Sequence, residues 1–364
     1  MNDPLHALLV WLSDHGGQCA DLSICQQANG ERFVRADRSF AIGELIMSLP
    51  YTCLWTADDA RRGWIGRTLG ERGVNLGSDL AYLAAALLVD FGRGDSPWRA
   101  YIDALPSDFS HLPLFFPEAQ CQWLTGSLVL EQLHEQRELV QAEQCLLAGV
   151  MPKFAWEHYP QARAAVFSRA FSVRITGRSL TCLVPLVDLC NHANDANADW
   201  SFDSTQGRFL LRARRDIAAG VEIQHCYGRY SNSRLLLHYG FCLEDNPHQE
   251  ALVRIPLGDG TEDAVNWRAM YLTADADCEG YRAYRQFMEV TRGHLSAAAV
   301  EAEVRYRLIA AIRQASAAFP TSLASDETLL QTELMPAMRH CVLARRSEKQ
   351  VLRAWQSRLS GSGS

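Results

Sequence analysis

The 364-residue sequence lacks several features that would assign a protein to a broad functional class. No apolar run approaches the roughly 20 residues that a membrane-spanning helix needs, and the first residues lack the basic segment of a signal peptide. The net charge of -7 comes without a run of basic residues, so a nucleic-acid surface is not supported. The absence of a Gly-x-Gly-x-x-Gly fingerprint argues against a Rossmann-type, dinucleotide-binding enzyme.

The cysteines and lysines are also informative. The eleven cysteines are odd in number and form no Cys-x-x-Cys pair, which argues against a disulfide framework and against a structural zinc site. Buried thiols in a reducing compartment are the simpler interpretation, and they predict a cytoplasmic protein. Lysine is scarce, since only Lys153 and Lys349 occur among 35 basic residues.

The predicted secondary structure mixes helices and strands over the first two thirds of the chain. The N-terminal segment predicts a helix with Asp3 as its cap and Pro4 in its first turn. Residues 80–91 and 118–172 have a mainly helical pattern, and Ser78 can cap the former segment. Strands are predicted at 33–36, 44–49, 183–189, 208–213 and 222–227.

The last third of the sequence has the composition of a helical bundle. No glycine occurs between Gly293 and Gly361, and Ala, Leu, Arg and Glu dominate this segment. Kinks are expected at Pro320 and Pro336. The element order β, α, β and then all-α predicts an α+β chain that ends in an all-α domain, with a boundary near 244–265.

Two short motifs carry the residues that point to chemistry, and 36 residues separate Asn191 in the first from Tyr227 in the second. An Asn-His pair or a Tyr-Gly pair alone is common by chance, so the signal lies in their order and spacing. The motifs and the stretch that follows them are Asp188-Leu-Cys-Asn191-His192, Tyr227-Gly228-Arg-Tyr-Ser231-Asn232 and Tyr239-Gly240-Phe241.

In this arrangement the motifs resemble the core of the SET-domain family, in the branch typified by the plant RuBisCO large-subunit lysine methyltransferase. That branch also includes an actin-histidine methyltransferase. The resemblance covers most of the chain and implies a β-rich SET fold with short strands and a pseudoknot-like core. Other stretches that share it are Gly43-Glu-Leu-Ile-Met-Ser-Leu-Pro50, Ser96-Pro-Trp98-Arg-Ala-Tyr101-Ile-Asp-Ala-Leu-Pro106 and Ser168-Arg-Ala-Phe171.

The resemblance also implies a domain organisation. It predicts a SET domain at 1–250 with a helical insertion at about 55–172, a helical substrate-docking domain at 251–359 and a flexible tail at 360–364. The expected partner is a protein or peptide substrate. No nucleic acid, membrane or structural metal is expected.

S-adenosylmethionine (SAM) is the cofactor that the resemblance implies. Asn191 and His192 match the pair that contacts SAM through hydrogen bonds, and Asp188 precedes them as a further expected contact. Ser168 and Arg169 resemble residues beside the methionine part of SAM, where Arg169 can pair with the carboxylate. Arg169 is also an expected substrate contact.

One stretch departs from the family pattern. Members carry a Gly-x-Gly-like stretch before the first strand, where the backbone approaches SAM. Here Gly30 is present, but Glu31 and Phe33 stand where glycines are expected. Glu31, Arg32 and Phe33 are therefore predicted as SAM contacts that narrow the approach, and an edge strand without a cofactor role is the alternative.

Two tyrosines are assigned to the chemistry by the resemblance. Tyr227 matches the catalytic tyrosine, also a SAM contact, and is expected to orient the nucleophile rather than to act as a strong base. A lysine must be neutral to attack, and desolvation in an aromatic channel lowers its pKa from about 10.4. Tyr239 matches a substrate-contacting wall of the lysine-modifying members that the histidine-modifying member lacks, so it favours lysine.

The sequence therefore predicts a SAM-dependent lysine N-methyltransferase that acts on a non-histone protein or peptide. Two alternatives stay open. One is methyl transfer to another nucleophile, such as a histidine imidazole or a peptide amine. The other is a non-catalytic SET-fold binding module.

Overall fold

A computed structural model describes residues 4–27, 30–175, 177–256, 267–275 and 278–361. Helices account for most of the regular structure of these residues. Their bounds are α1 Pro4–Asp14, α2 Ala57–Arg62, α3 Trp64–Glu71, α4 Asp79–Phe91, α5 Arg99–Ala104, α6 Glu118–Cys121, α7 Leu128–Val150, α8 Tyr159–Phe167, α9 Asn232–Tyr239, α10 Glu279–Thr291, α11 Ala297–Ala317, α12 Leu323–Leu329 and α13 Pro336–Gly361.

The strands are short. Their bounds are β1 Leu22–Gln26, β2 Arg32–Ala36, β3 Leu45–Pro50, β4 Trp55–Thr56, β5 Ala170–Ile175, β6 Arg178–Leu183, β7 Asn191–His192, β8 Ala198–Asp203, β9 Arg208–Ala213, β10 Glu222–His225, β11 Glu250–Pro256 and β12 Trp267–Thr273. The α+β organisation with short strands is thus confirmed.

Contacts between Cα atoms divide the chain into two compact units. The first comprises residues 1–109 and 137–229, and the second comprises 110–136 and 230–364. This division separates the inserted segment 110–136 from the rest of the predicted insertion. The domain limits expected from the sequence, 1–250 and 251–359, stay a prediction.

The first unit is built around a seven-stranded sheet. Its strand order is β1-β2-β10-β8-β9-β3, and β7 pairs with β10. A second sheet in the same unit has the order β4-β6-β5. Helix α4 packs on α8, and its residues 81–89 are all buried, as expected for a helix that is apolar on every side. Ser78 caps α4 by accepting a hydrogen bond from the backbone of Ala81 at 3.1 Å, as the sequence predicts.

The predicted strand at 183–189 is wrong. Strand β6 ends at Leu183, and residues 187–189 form a short 3-10 helix. The apolar run is buried without strand pairing because Pro185 lacks the N–H that a ladder needs. Leu186 then turns the chain, with φ 73 and ψ −42.

The predicted kinks and helix ends differ in part from those in the structure. Pro320 lies between α11 and α12, and Pro336 is the first residue of α13, so neither kinks a helix. Proline fits the first turn because its missing N–H is not needed there. Helix α1 begins at Pro4, whereas Asp3 lies outside the described residues. Helix α13 ends at Gly361, and residues 362–364 lie outside the described part, so the flexible tail expected at 360–364 stays a prediction.

The second unit is helical from residue 278 onward, as predicted, with one addition. Strands β11 and β12 form an antiparallel pair in the segment predicted to begin an all-α domain. The inward side chains of β11 alternate along the strand, with Ala251, Val253 and Ile255 buried against α11 and α13. This period of two is typical of a strand with one buried face. The boundary predicted near 244–265 falls in part on residues outside the description.

Buried ionic groups also hold the second unit together. The carboxylate of Asp326 accepts hydrogen bonds from Arg345, Lys349 and Thr321 at 2.6 to 3.1 Å. Lys349, one of the two lysines of the chain, is therefore paired with Asp326 inside the protein. The other, Lys153 of the first unit, is exposed.

All eleven cysteines are free thiols. Within the ranges given above, no helix has both the length and the apolar character required to cross a membrane. The same ranges contain no cluster of three or more His, Cys, Asp or Glu side chains arranged to hold a metal ion.

Candidate functional site

The two motifs of the sequence meet through a parallel strand pair in the first unit. In the pairing of β7 with β10, Asn191 lies opposite Gln224 and His192 lies opposite His225. Tyr227 follows two residues after the end of β10. Residues 36 positions apart in the sequence thus become neighbours, which gives the spacing of the motifs its structural reason.

Two hydrogen bonds tie Tyr227 to the first motif. Its hydroxyl donates to the carbonyl oxygen of Cys190 at 3.0 Å, and its backbone N–H donates to Nδ1 of His192 at 3.1 Å. Because Nδ1 of His192 accepts a hydrogen bond, the proton of this neutral ring resides on Nε2. Tyr227 is therefore fixed at both its backbone and its hydroxyl.

Two imidazole rings flank the ring of Tyr227. The ring centroid of His192 lies 5.1 Å away and that of His225 lies 4.9 Å away. Burial lowers the pKa of His225 to about 4, and His192 contributes to this shift in the same direction. His225 therefore carries no charge at neutral pH, and this wall of the site adds no cation.

Asn191 connects three segments of the chain. Its side-chain N–H groups donate to the carboxylate of Glu222 at 2.8 Å and to the carbonyl oxygen of Arg32 at 3.3 Å. The predicted stretch 31–33 is thus joined to the first motif through its backbone. Within this stretch, the guanidinium of Arg32 donates to the carbonyl of Ala104. Glu31 is exposed, and Phe33 is half-buried in β2 opposite Cys25.

Asp188 lies in the interior, bonded to protein groups. Its carboxylate accepts a hydrogen bond from the hydroxyl of Tyr101 at 2.7 Å, and Arg169 lies 3.5 Å from the same oxygen. Arg169 also donates to the carbonyl oxygen of Asp188 at 2.7 Å. Burial raises the pKa of the Asp188 carboxyl, whereas the charge of Arg169 and the Tyr101 hydroxyl oppose this rise. The predicted contact of Asp188 with the cofactor stays a prediction.

Ser168 and Leu186 lie next to the two bonded residues: Ser168 directly precedes Arg169, and Leu186 lies two residues before Asp188. Ser168 caps the end of α8, and its hydroxyl donates back to the carbonyl of Ala164 at 2.9 Å. Leu186 is the only non-glycine residue with positive φ among the described residues. Its dihedral angles approach a strained γ-turn with positive φ, which costs on the order of 1–3 kcal/mol. That strain is held directly before the residues of the first motif.

Tyr239 belongs to the second unit. It ends α9, and Gly240 follows it in the left-handed conformation with φ 80. Its ring is stacked with that of Tyr230, with 6.4 Å between the ring centroids. The ring centroid of Phe241 lies 6.3 Å away. Burial raises the pKa of the Tyr239 hydroxyl, so it stays a neutral phenol.

The predicted residues thus fall into one connected set and a few outliers. The connected set consists of three hydrogen-bonded groups, which the backbone of residues 188–192 links: Arg169 with Asp188, Asn191 with the backbone of Arg32, and His192 with Tyr227. Sequence reasoning missed four residues of this set, namely Tyr101, Leu186, Glu222 and His225. Polar residues within predicted strands were the available signal for Glu222 and His225, whereas nothing local distinguished Tyr101 or Leu186.

Comparison with known families agrees with this geometry. The family model described as SET domain matches residues 31–228, which include every predicted site residue of the first unit. The model described as Rubisco LSMT substrate-binding matches residues 278–352. Tyr239 lies between the two matched regions.

Comparison with individual proteins gives relatives named actin-histidine N-methyltransferase. The chain is 24% identical over 267 residues to the actin-histidine N-methyltransferase of Danio rerio, and 25% identical over 272 residues to that of Homo sapiens. These matches cover 70% and 71% of this chain, but the chain spans less than half of each relative, 44% and 45%.

Solved structures of Rubisco LSMT share the fold. One bound to lysine and AdoHcy superposes with a TM-score of 0.81 at 18% identity, covering 98% of this chain and 91% of the other. One bound to AdoMet gives 0.78 at 19% identity, covering 99% and 92%. With a SET-domain match over more than half of its length, this chain belongs to the SET-domain family.

Proposed function

We propose that this chain is a SAM-dependent protein methyltransferase. The observation that carries the proposal is the pair of hydrogen bonds that join Tyr227 to Cys190 and His192. They hold one phenol hydroxyl against the segment that the family resemblance assigns to the cofactor. A tyrosine that only packs in the core would not require these two hydrogen bonds to the first motif.

The polar atoms of the site fit a cofactor of this chemistry. In the described part of the chain, Nε of Arg169, Oδ1 of Asp188 and Nε2 of His225 are buried without a hydrogen-bond partner. Buried polar groups are normally bonded, so such atoms are candidates for ligand contacts. Arg169 would hold a carboxylate, and Asn191 and His192 would hold further polar groups of SAM. When bound, SAM supplies a methyl group on a positively charged sulfur.

The chain's own residues provide orientation and a suitable electrostatic setting. Because the hydroxyl of Tyr227 donates its hydrogen bond to Cys190, its oxygen would meet an N–H of the incoming nucleophile as an acceptor. The neutral ring of His225 adds no positive charge beside a cationic cofactor. These residues align reactants rather than move protons, which is the main requirement of a methyl transfer.

For the acceptor, we infer a lysine side chain of a non-histone protein or peptide. The supporting observation is the aromatic group of Tyr230, Tyr239 and Phe241 in the second unit, which suits an amine through cation–π contacts. The match of residues 278–352 to a substrate-binding model supports a protein as the substrate.

Histidine is the second candidate acceptor. It is supported by the relatives named actin-histidine N-methyltransferase, which match 70% and 71% of this chain. Tyr239 then has another role, because an aromatic wall for an ammonium group is not needed by an imidazole.

Two measurements test the proposal. Calorimetric titration of the folded protein with SAM should give measurable heat, and no heat would leave only the binding-module alternative. Incubation of a lysate with tritiated SAM and the protein, followed by mass spectrometry of the labelled peptide, should identify a methylated lysine. Label on histidine would establish the second candidate instead.

The pH dependence of the rate separates the two acceptors independently. A lysine with a pKa near 10 must lose a proton, so the rate of peptide methylation should rise steadily between about pH 7 and 9. A histidine with a pKa near 6.5 is already neutral above about pH 7, so its rate should level off there. Initial rates with the identified peptide over this pH range decide between them.

A further inference from the structure

A buried group of tyrosine, carboxylate and arginine lies beside the first motif. Tyr101 of α5 donates to Asp188 at 2.7 Å, and Arg169 contacts both the side chain and the carbonyl of Asp188. Tyr101 is 1% exposed, and the side chain of Asp188 is fully buried. Tyr101 comes from the helical insertion, 87 residues from Asp188 in the sequence.

The same unit contains a second group of tyrosine, carboxylate and arginine, with glutamate in place of aspartate. Tyr159 donates to the carboxylate of Glu143 at 2.8 Å, and Nε of Arg163 donates to the same oxygen at 2.9 Å. All three side chains are buried. Its members belong to α7 and α8, so this group joins two helices of the unit.

The two groups differ in what the arginine does. In the helical group, Nε of Arg163 is bonded to the carboxylate. In the other group, Arg169 uses Nη1 for both the carbonyl oxygen and the carboxylate of Asp188, and its buried Nε has no partner in the described part of the chain. The turn that Arg169 holds follows the strained Leu186 and leads into Asn191 and His192. The helical group also has an unpartnered buried atom, Oε1 of Glu143, but that atom is an acceptor, whereas the group that contains Asp188 keeps an unpartnered donor.

We propose that Tyr101 is a positioning residue for cofactor binding: through Asp188 it holds Arg169 and the 187–189 turn in the arrangement that receives SAM. This rests on the function proposed above. In this proposal Tyr101 acts through Asp188, to which its hydroxyl donates.

The neighbours of Asp188 determine how the loss of Tyr101 should be detected. Arg169 is its charged neighbour, and Cys190 lies two residues along the chain, whereas Cys182 of β6 faces Tyr101. Burial raises the pKa of Cys182 to about 12 and also raises that of Cys190, so both thiols are neutral. Without the Tyr101 hydroxyl, Asp188 should bind a proton at higher pH, because one donor to its charged form is gone. A neutral Asp188 holds Arg169 less firmly.

The test compares Tyr101→Phe with Tyr159→Phe by calorimetric titration with SAM over the whole pH range in which the proteins stay folded. Each change removes one buried hydroxyl bonded to a carboxylate, so both proteins should lose similar thermal stability. Tyr101→Phe should raise the Kd for SAM about tenfold at neutral pH, with the weakening on acidification moved to higher pH. Tyr159→Phe should keep the Kd within about twofold and the pH profile unchanged.

Three outcomes would overturn the proposal. Tyr101→Phe could bind SAM with the Kd and pH profile of the parent protein, or Tyr159→Phe could weaken SAM equally, which would make the effect one of general stability. Asp188→Asn could retain the pH profile of the parent, which would exclude Asp188 as the titrating group. If the parent protein itself gives no heat with SAM, the proposed function fails first, and it is distinguished by that control.

Discussion

Two buried polar networks of this protein differ in how completely their atoms are bonded. In the second unit, both carboxylate oxygens of Asp326 are bonded, to Arg345, Lys349 and Thr321. In the first unit, the network around Asp188 leaves one oxygen and the Nε of Arg169 without partners in the described part of the chain. A fully bonded network suits a role in stability, whereas an unpartnered buried donor such as Nε of Arg169 is a candidate contact for an anionic ligand group.

The two units also differ in the residue type that holds a positive φ. At Tyr239 in the second unit, a glycine accommodates the left-handed turn that ends α9. Before the first motif of the first unit, a leucine holds a positive φ despite the cost. The positive φ at Leu186 is the observation on which we base the proposed functional role of the 186–192 segment.

The largest expected effect concerns the bonded network. Asp326→Ala leaves Arg345 and Lys349 buried without their common anion, so the free energy of unfolding should fall by about 3–5 kcal/mol. Urea denaturation measures this loss. If the contrast is right, the SAM affinity of the protein that remains folded should be unchanged.

The matched control for that substitution is an exposed ion pair of the same unit. Glu289 pairs with Arg285 one helical turn away, and both side chains are more than half exposed. Glu289→Ala should lower the free energy of unfolding by about 0.5 kcal/mol or less. Equal losses in the two variants would show that burial does not strengthen the Asp326 network.

A second prediction concerns Glu348, a buried acid of the second unit. It accepts hydrogen bonds from Ser127 and Ser233 and from the backbone of Leu128. Burial raises its pKa to about 7 from the ordinary value of 4.5. Between these values the folded protein holds a proton that the unfolded chain has lost, so stability falls as pH rises through this window.

The size of this effect is about 3 kcal/mol over that pH range. In Glu348→Gln this part of the pH dependence should disappear. The buried His238 acts in the opposite direction, because its pKa of about 4 makes stability fall as pH decreases from 6.5. The measurement is therefore the difference between parent and variant unfolding free energies at pH 5, 6, 7 and 8. A constant difference across these values would contradict the raised pKa.

A third prediction tests the site itself. Tyr227→Phe removes the hydroxyl bonded to Cys190 while keeping the ring between His192 and His225. We expect the rate of methyl transfer to fall about 100-fold, as for a misaligned reactant, with the Kd for SAM changed little. Single-turnover rates with the identified peptide and calorimetry with SAM separate the two quantities. An unchanged rate would remove Tyr227 from the chemistry.

The fold was predictable from the sequence where local patterns decide it. Ser78 and Gly92 delimit α4, and the glycine-free stretch after Gly293 is helical, because capping and composition act within a few residues. The strand predicted at 183–189 fails because an apolar run reports burial without reporting pairing. Here Pro185 and the turn at Leu186 determine the backbone conformation of this segment.

The site was predictable as a set of residues but not as a network. Asn191, His192 and Tyr227 were found from their spacing, and the pairing of β7 with β10 explains it. Tyr101 could not be assigned a role, because its partner Asp188 lies 87 residues away and only the fold brings them together. Asp188 and Arg169 were expected as separate cofactor contacts, whereas they are bonded to each other.

The smallest expected effect concerns the glycine beside Tyr239. A methyl group on Gly240 would lie 2.5 Å from the ring of His111 and 2.8 Å from its carbonyl oxygen, and the backbone there cannot easily yield. Gly43 has the same φ of 80 with open space around it, so Gly43→Ala measures the cost of the left-handed conformation alone. Gly240→Ala should therefore lower the free energy of unfolding by roughly 1–2 kcal/mol more than Gly43→Ala does. Urea denaturation of both variants gives this difference. Equal losses would mean that Gly240 serves only its backbone angle, and Tyr239 would then not depend on the close approach of His111 for its position.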